Sequence, residues 1–156
     1  MEVQGIQICL LPSGKINFLI NHCLNVYVIC SKMYKERLLI TFKDMVVNFI
    51  DELIVQFPNE SDLIIGRIYI KDKIEDERLM NKFILHIIPL KEMIKNRDES
   101  FIRNIPNSTN IHYEKKFNHF KTLWKSTVLD HDDKEIIWKW IDSFVLLAEK
   151  YQKQCN

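Results

Sequence analysis

Residues 34–57 read YKERLLITFKDMVVNFIDELIVQF, and this stretch decides the fold class. Its apolar residues Leu38, Phe42, Met45, Phe49 and Leu53 recur at spacings of four, three, four and four. Leu39, Val46, Ile50 and Ile54 form a second stripe beside the first. A strand would alternate with period two, whereas two adjacent stripes at a 3.6-residue period make one wide apolar face on a long helix. Pro58 ends that helix, because proline cannot donate to the hydrogen-bond ladder and pushes Phe57 out of the helical region.

Working toward the C-terminus, Asn59-Glu60-Ser61-Asp62 offers capping side chains and first-turn acids before Leu63, Ile64, Ile65, Ile68 and Ile70. The β-branching would also permit a buried strand, but Ile64/Ile65, Ile68 and Asp72 track a helical period, so a second helix is expected here. The mixed charge run 71–78 joins two helices or forms the exposed start of the next. Leu79, Phe83, Ile84, Ile87 and Ile88 mark that next helix, Pro89 kinks or restarts it, and Leu90, Met93 and Ile94 continue. A short helical turn falls around Ser100–Arg103, and Ile105–Asn110 is the clearest loop. Tyr113, Phe117, Phe120 and Trp124 share one face of a helix over 111–126. In the last helix Asp130 is the N-cap, and Asp132, Asp133 and Glu135 suit the positive end of the dipole. Ile137, Ile141, Phe144 and Ala148 form its core stripe, extended by Trp140, Leu147 and Tyr151. The expectation is a mainly α protein, a compact bundle of five to six helices with a short N-terminal extension or hairpin.

Working toward the N-terminus, the character changes. Val3–Leu11 suits one strand, Pro12-Ser13-Gly14-Lys15 a turn, and Ile16–Ile29 a second strand or an irregular segment. Met33 stands directly before the clean helical pattern, so it reads as an alternative start, with 1–32 an extension and 33–156 the helical domain. The competing reading is an ordinary N-terminal hairpin packed on the body. No continuous apolar stretch reaches the roughly 20 residues of a spanning helix, so no membrane span is expected.

Composition narrows the function classes. The chain has 156 residues, of which 47% are hydrophobic and 28% charged, enough for one real core. Lys and Arg number 22 against 21 Asp and Glu, a balance unlike that of a wholesale polyanion binder. The cysteines are Cys9, Cys23, Cys30 and Cys155; the central body has none, which favours a reduced, intracellular compartment. Cys23 and Cys30 with His22 lack the second close ligand pair of a zinc site, so no metal and no cofactor is expected. The carboxylates Asp130, Asp132, Asp133 and Glu135 lack the glycine and distal glutamate of a calcium loop. His86, within the apolar run Ile84–Ile88, reads as a hydrogen-bonded core histidine, and His112 and His119 have no carboxylate partner at ligand spacing. There is no Gly-x-Ser-x-Gly, phosphate-binding glycine loop or His-Glu-x-x-His, and no catalytic residue is assigned.

Two surface patches remain. The basic and aromatic stretch with Lys115, Lys116, Lys121 and Lys125 has the residue types of a nucleic-acid site, lysines for phosphate and rings for stacking. Its four aromatics share one face, however, which is the pattern of a core-packed helix. The charged turn Lys95-Asn-Arg-Asp-Glu-Ser-Phe101 is the segment that local structure explains least, and it makes Arg97, Asp98 and Glu99 the partner-binding candidates.

Isoleucine, lysine and asparagine are abundant while alanine occurs once, at Ala148, the skew of an AT-rich genome. Three stretches carry a resemblance: Phe49-Ile-Asp-Glu-Leu-Ile-Val-Gln-Phe-Pro-Asn-Glu-Ser-Asp-Leu63; Lys95 through Phe101; and Phe120-Lys-Thr-Leu-Trp124 leading through Asp133-Lys-Glu-Ile-Ile-Trp-Lys-Trp-Ile-Asp-Ser-Phe144 to Ala148-Glu-Lys-Tyr151. Together, from about Met33 to Tyr151, they resemble a family of small proteins of uncharacterised function from nucleocytoplasmic large DNA viruses (giant and algal viruses). The resemblance implies a viral origin and transfers no catalytic residues. The expected function is therefore a non-enzymatic interaction protein, an adaptor or virion-associated subunit in host cytoplasm or virion. It would dock a viral or host protein through an apolar helix face with a charged rim. The alternative is a nucleic-acid-binding accessory protein using helix 111–126.

Overall fold

The computed structural model describes residues 13–104, 121–122, 124–125 and 128–155, with the backbone alone for 13–25, 27 and 155. The chain divides into two compact units, Met1–Lys35 and Glu36–Asn156. The protein is mainly helical, with no strand among the described residues. Helix α1 (Ser13–Gln56) contributes to both units, and the others belong to the second: α2 (Ser61–Lys73), α3 (Asp76–His86), α4 (Lys91–Lys95), α5 (Phe101–Asn104) and α6 (His131–Cys155).

The backbone of Ile16–Ile29 is helical, not the strand or irregular segment expected. A strand must find a partner for every other N–H and C=O, whereas a helix satisfies them within the segment. From Ser13 onward the expected turn is the first turn of α1, and Val3–Leu11 lies outside the described residues.

The core of the second unit follows from the stripes on α1 and α6. Phe42 of α1 is fully buried, and its ring meets Phe83 of α3 at 5.2 Å and Phe144 of α6 at 5.8 Å, both edge to face. Phe144 also meets Phe49 at 5.7 Å and Phe83 at 6.1 Å, so three helices share one aromatic knot. Leu38, Leu39, Met80, Ala148 and Tyr151 complete this cluster. Polar ties at its margin fix the helices lengthwise: Tyr151 Oη donates to Glu77 at 2.9 Å, and Trp140 Nε1 donates to Glu52 at 2.7 Å. A second cluster gathers Ile94, Phe101, Ile102, Trp124, Leu129, Ile137 and Trp138 under α4, α5 and the start of α6. Trp138 lies off the stripe read from sequence, and it is buried with Phe101 tilted against it at 5.6 Å and Trp124 edge-on at 5.5 Å.

The connections have local causes. The α2–α3 link is short, with Ile74 extended after α2 and Glu75 preceding α3. Lys43 of α1 donates to the Ile74 carbonyl at 2.7 Å and pairs with Asp76 at 2.9 Å, so one cation serves a helix end and the next helix start. The charge run 71–78 thus spans the end of α2, this link and the start of α3. Pro89 restarts the chain: α3 stops at His86, and a 3₁₀ turn over Ile88–Leu90 leads into α4. At α6, Asp133 N–H donates to Asp130 Oδ1 at 2.8 Å and Asp130 N–H donates back to Asp133 Oδ2 at 3.2 Å, a reciprocal cap. Glu60, in contrast, begins α2 without a side-chain cap; backbone bonds such as Leu63 N–H to Glu60 O at 3.0 Å do that work.

Phe42→Ala removes the ring that joins α1, α3 and α6 and is expected to lower unfolding free energy by about 3–5 kcal/mol. Ile40→Ala, on the exposed face two residues away, is expected to change it by less than about 0.5 kcal/mol. Urea denaturation of both variants checks the contrast.

Candidate functional site

Two features of the second unit stand out: the corner after α4 and the outer face of α2. Helix α4 ends in a Schellman arrangement, with Arg97 N–H bonded to Ile94 O at 3.0 Å and Asp98 N–H to Met93 O at 2.9 Å. This arrangement needs a left-handed residue at the first position past the cap, usually glycine. Here it is Arg97, with φ of 53°. Its guanidinium donates to both Asp142 oxygens, at 3.0 and 2.7 Å, and to the Ile94 carbonyl at 3.2 Å. It also lies 5.5 Å from the Trp138 ring centroid, with Glu135 3.9 Å from Nε. The planar fork on a carboxylate, seated on an indole, offsets the unfavourable backbone.

Asp98 and Glu99 are engaged in the same way. The Ser100 hydroxyl and then its backbone N–H hydrogen-bond the Asp98 carboxylate, holding it below the usual carboxylate range; the N–H lies at 2.9 Å. Glu99 pairs with Lys134 at 3.1 Å, and Lys134 in turn lies over the Trp124 ring at 5.5 Å. Of the partner-binding candidates, Arg97 and Glu99 also tie the α4–α5 corner to α6, Asp98 is bonded within the corner to Ser100, and the Asp98 and Glu99 side chains are exposed. Sequence spacing missed this because Asp142, 45 residues along the chain from Arg97, completes the fork.

The outer face of α2 is the opposite case. Arg67 Nε and Nη2 donate to the two carboxylate oxygens of Asp51 of α1, which holds the helix and keeps the Asp51 carboxyl below its usual range. Leu63, Gly66, Arg67 and Ile70 are half-buried on the inner side, and no α2 residue is buried. Outward stand Ile64, Ile65, Ile68 and Tyr69, at 43, 54, 50 and 41% exposure. Ile64, Ile65 and Ile68 are the residues whose spacing led to the expectation of a helix here. The 3.6 period reported a helix with an apolar face correctly, but it carried no information on whether anything covers that face.

For the basic stretch, Lys115 and Lys116 lie outside the described residues, as do His112, His119, the expected loop 105–110 and most of the stretch 111–126 where a helix was expected. Lys121 and Lys125 are on helical backbone, the first half-buried and the second exposed. Trp124 is 2% exposed, packed edge-on against Trp138 at 5.5 Å. His86 is exposed at the last turn of α3, not in the core: Met80 and Phe83 take the inner face, and His86 falls off it. Among the described residues, no three His, Cys, Asp or Glu side chains are gathered to hold a metal ion, and no helix is long and apolar enough to cross a membrane. No protein-family model, curated protein or solved structure matches the chain.

Arg97→Ala keeps the left-handed strain and loses the fork, whereas Arg97→Gly loses the fork and relieves the strain. The glycine variant is therefore expected to be the more stable of the two by about 1 kcal/mol, read by urea denaturation. Asp51 and Asp98 both titrate lower in the folded chain than in the unfolded one. The stability they contribute is complete above the ordinary carboxylate range and is lost as pH falls through their depressed values. Thermal midpoints should therefore drop on acidification below about pH 4, and less steeply in an Asp51→Asn, Asp98→Asn double variant.

Proposed function

We propose that this chain is a non-enzymatic protein-interaction module, an adaptor or virion-associated subunit of a large DNA virus. It docks through the outer face of α2. The observation that carries this reading is the strip Ile64, Ile65, Ile68 and Tyr69, contiguous on one helix face and open to solvent. Scattered exposed apolar residues are ordinary, but a continuous strip rimmed by Asp62, Lys71 and Asp72 has the anatomy of a helix-docking surface. The viral setting rests on the sequence resemblance described above. Trp124 is the reason the nucleic-acid alternative is the weaker one: a ring packed in the core cannot stack on a base.

Tagged protein is recovered from infected cells with and without nuclease, and its co-purifying proteins are identified by mass spectrometry. The expected result is a nuclease-resistant set that Ile65→Glu with Ile68→Glu removes and Lys115→Glu, Lys116→Glu with Lys125→Glu retains. A set that disappears on nuclease treatment and with the lysine variant, but survives the isoleucine variant, would replace this reading with the nucleic-acid one.

A further inference from the structure

The N-terminal half of α1 is set apart by its charges. From Val3 to Lys35 there is no aspartate or glutamate, although the whole chain holds 21 of them. The charged residues of that stretch are Lys15, Lys32 and Lys35. Up to Lys35 the helix belongs to the first compact unit. There Val26, Ile29, Cys30, Met33 and Tyr34 all stand exposed, Met33 at 64%. With 100° per residue they spread over about 140° of the helix circumference. The register of the helical backbone places Ile16, Leu19 and Cys23 in the same arc. Asn17, Asn21, Asn25 and Lys32 fall together on the opposite side, within about 80°. Exposed Val28 interrupts that polar line, and His22 and Lys15 interrupt the apolar arc.

We propose that this half of α1 lies along the surface of an anionic lipid bilayer. Its apolar arc enters the boundary between headgroups and acyl chains, and its asparagine and lysine line faces water. The width of the arc and the charge both favour lipid over protein. A single partner helix covers a stripe roughly 100° wide and would leave part of this arc in water, whereas a bilayer is continuous and covers all of it. A second copy would bring one acid-free, lysine-bearing helix against another, and like charges repel. Anionic headgroups complement the same lysines. Tyr34, at the edge of the arc, has the ring with a polar tip that suits the headgroup level. Asn17, Asn21, Asn25 and Lys32 would be costly in hydrocarbon, so the helix rests on the bilayer instead of passing through it. Among the described residues, no helix is long and apolar enough to cross a membrane.

This inference is independent of the α2 docking surface and is tested apart from it. The full chain is floated with vesicles of phosphatidylcholine and phosphatidylserine, and with vesicles of phosphatidylcholine alone. It is expected to rise with the anionic vesicles and clearly less with the neutral ones. Val26→Asp with Ile29→Asp and Met33→Asp, all at exposed positions, should lower partitioning by a factor of about 100 or more, with the circular dichroism spectrum unchanged. Lys32→Glu should lower it about tenfold on the anionic vesicles and leave the neutral ones unaffected. Ile65→Glu with Ile68→Glu, on α2, should float as the wild type does. A chain that stays at the bottom of the gradient overturns the inference, as does flotation indifferent to the aspartates or equal on the two kinds of vesicle. Self-association in sedimentation velocity that the aspartate variant abolishes, in a chain that ignores vesicles, would assign the face to a second copy instead. Any of these failures leaves the reading of α2 standing, because that reading is decided by the isoleucine variant.

Discussion

The packing of Phe42 against Phe83 and Phe144 is the contact on which the second unit depends. It is the point at which α1, α3 and α6 meet, and Phe42 has no exposed surface there. Edge-to-face geometry among Phe42, Phe49, Phe83 and Phe144 places the positive edge of one ring on the negative face of the next. Ala148, also fully buried, belongs to the same cluster. It is the only alanine in the sequence, and a larger side chain in so closed a site would force neighbouring rings off their rotamers. The polar ties from Tyr151 to Glu77 and from Trp140 to Glu52 lie at the rim of this contact, where they add register to an attraction that has little direction of its own.

Around that knot, charged side chains fix what apolar packing leaves free. Arg67 on Asp51 docks α2 to α1, Lys43 closes the α2–α3 link, and Arg97 on Asp142 fastens the α4 corner to α6. Arg97 is the most constrained of these, because its backbone takes a conformation that only a well-anchored side chain sustains. Arg97 and Glu99 thus reach α6 through Asp142 and Lys134, while Asp98 and Glu99 stay exposed at the surface. On α2, Arg67 bonds Asp51 and Leu63 and Ile70 are half-buried on the inner side, while Ile64, Ile65 and Ile68 stand exposed.

A helix held mainly at its inner edge suits an interaction module. Its outward side chains are fixed by the helix itself, so little ordering cost remains at docking.

The helical character, the breaks at Pro58 and Pro89, the Asp130 cap and the core stripes of α1 and α6 were all written in the sequence. Each depends on residues three or four apart, or on one residue's own backbone chemistry. Whether an apolar face is covered, and whether a charge is offered outward or taken up inside, depends on residues far along the chain. Ile65 and Phe42 sit in equally helical patterns, yet only Phe42 has α3 and α6 folded over it. Arg97 and Asp142, 45 positions apart, are ordinary charged residues until the fold sets them 2.7 Å from one another. From Tyr34 onward local periodicity marked the helices, whereas Ile16–Ile29 is helical without an apolar stripe that announced it. Only the tertiary structure decided which faces they bury, because burial is a property of the neighbours a helix meets and not of the helix.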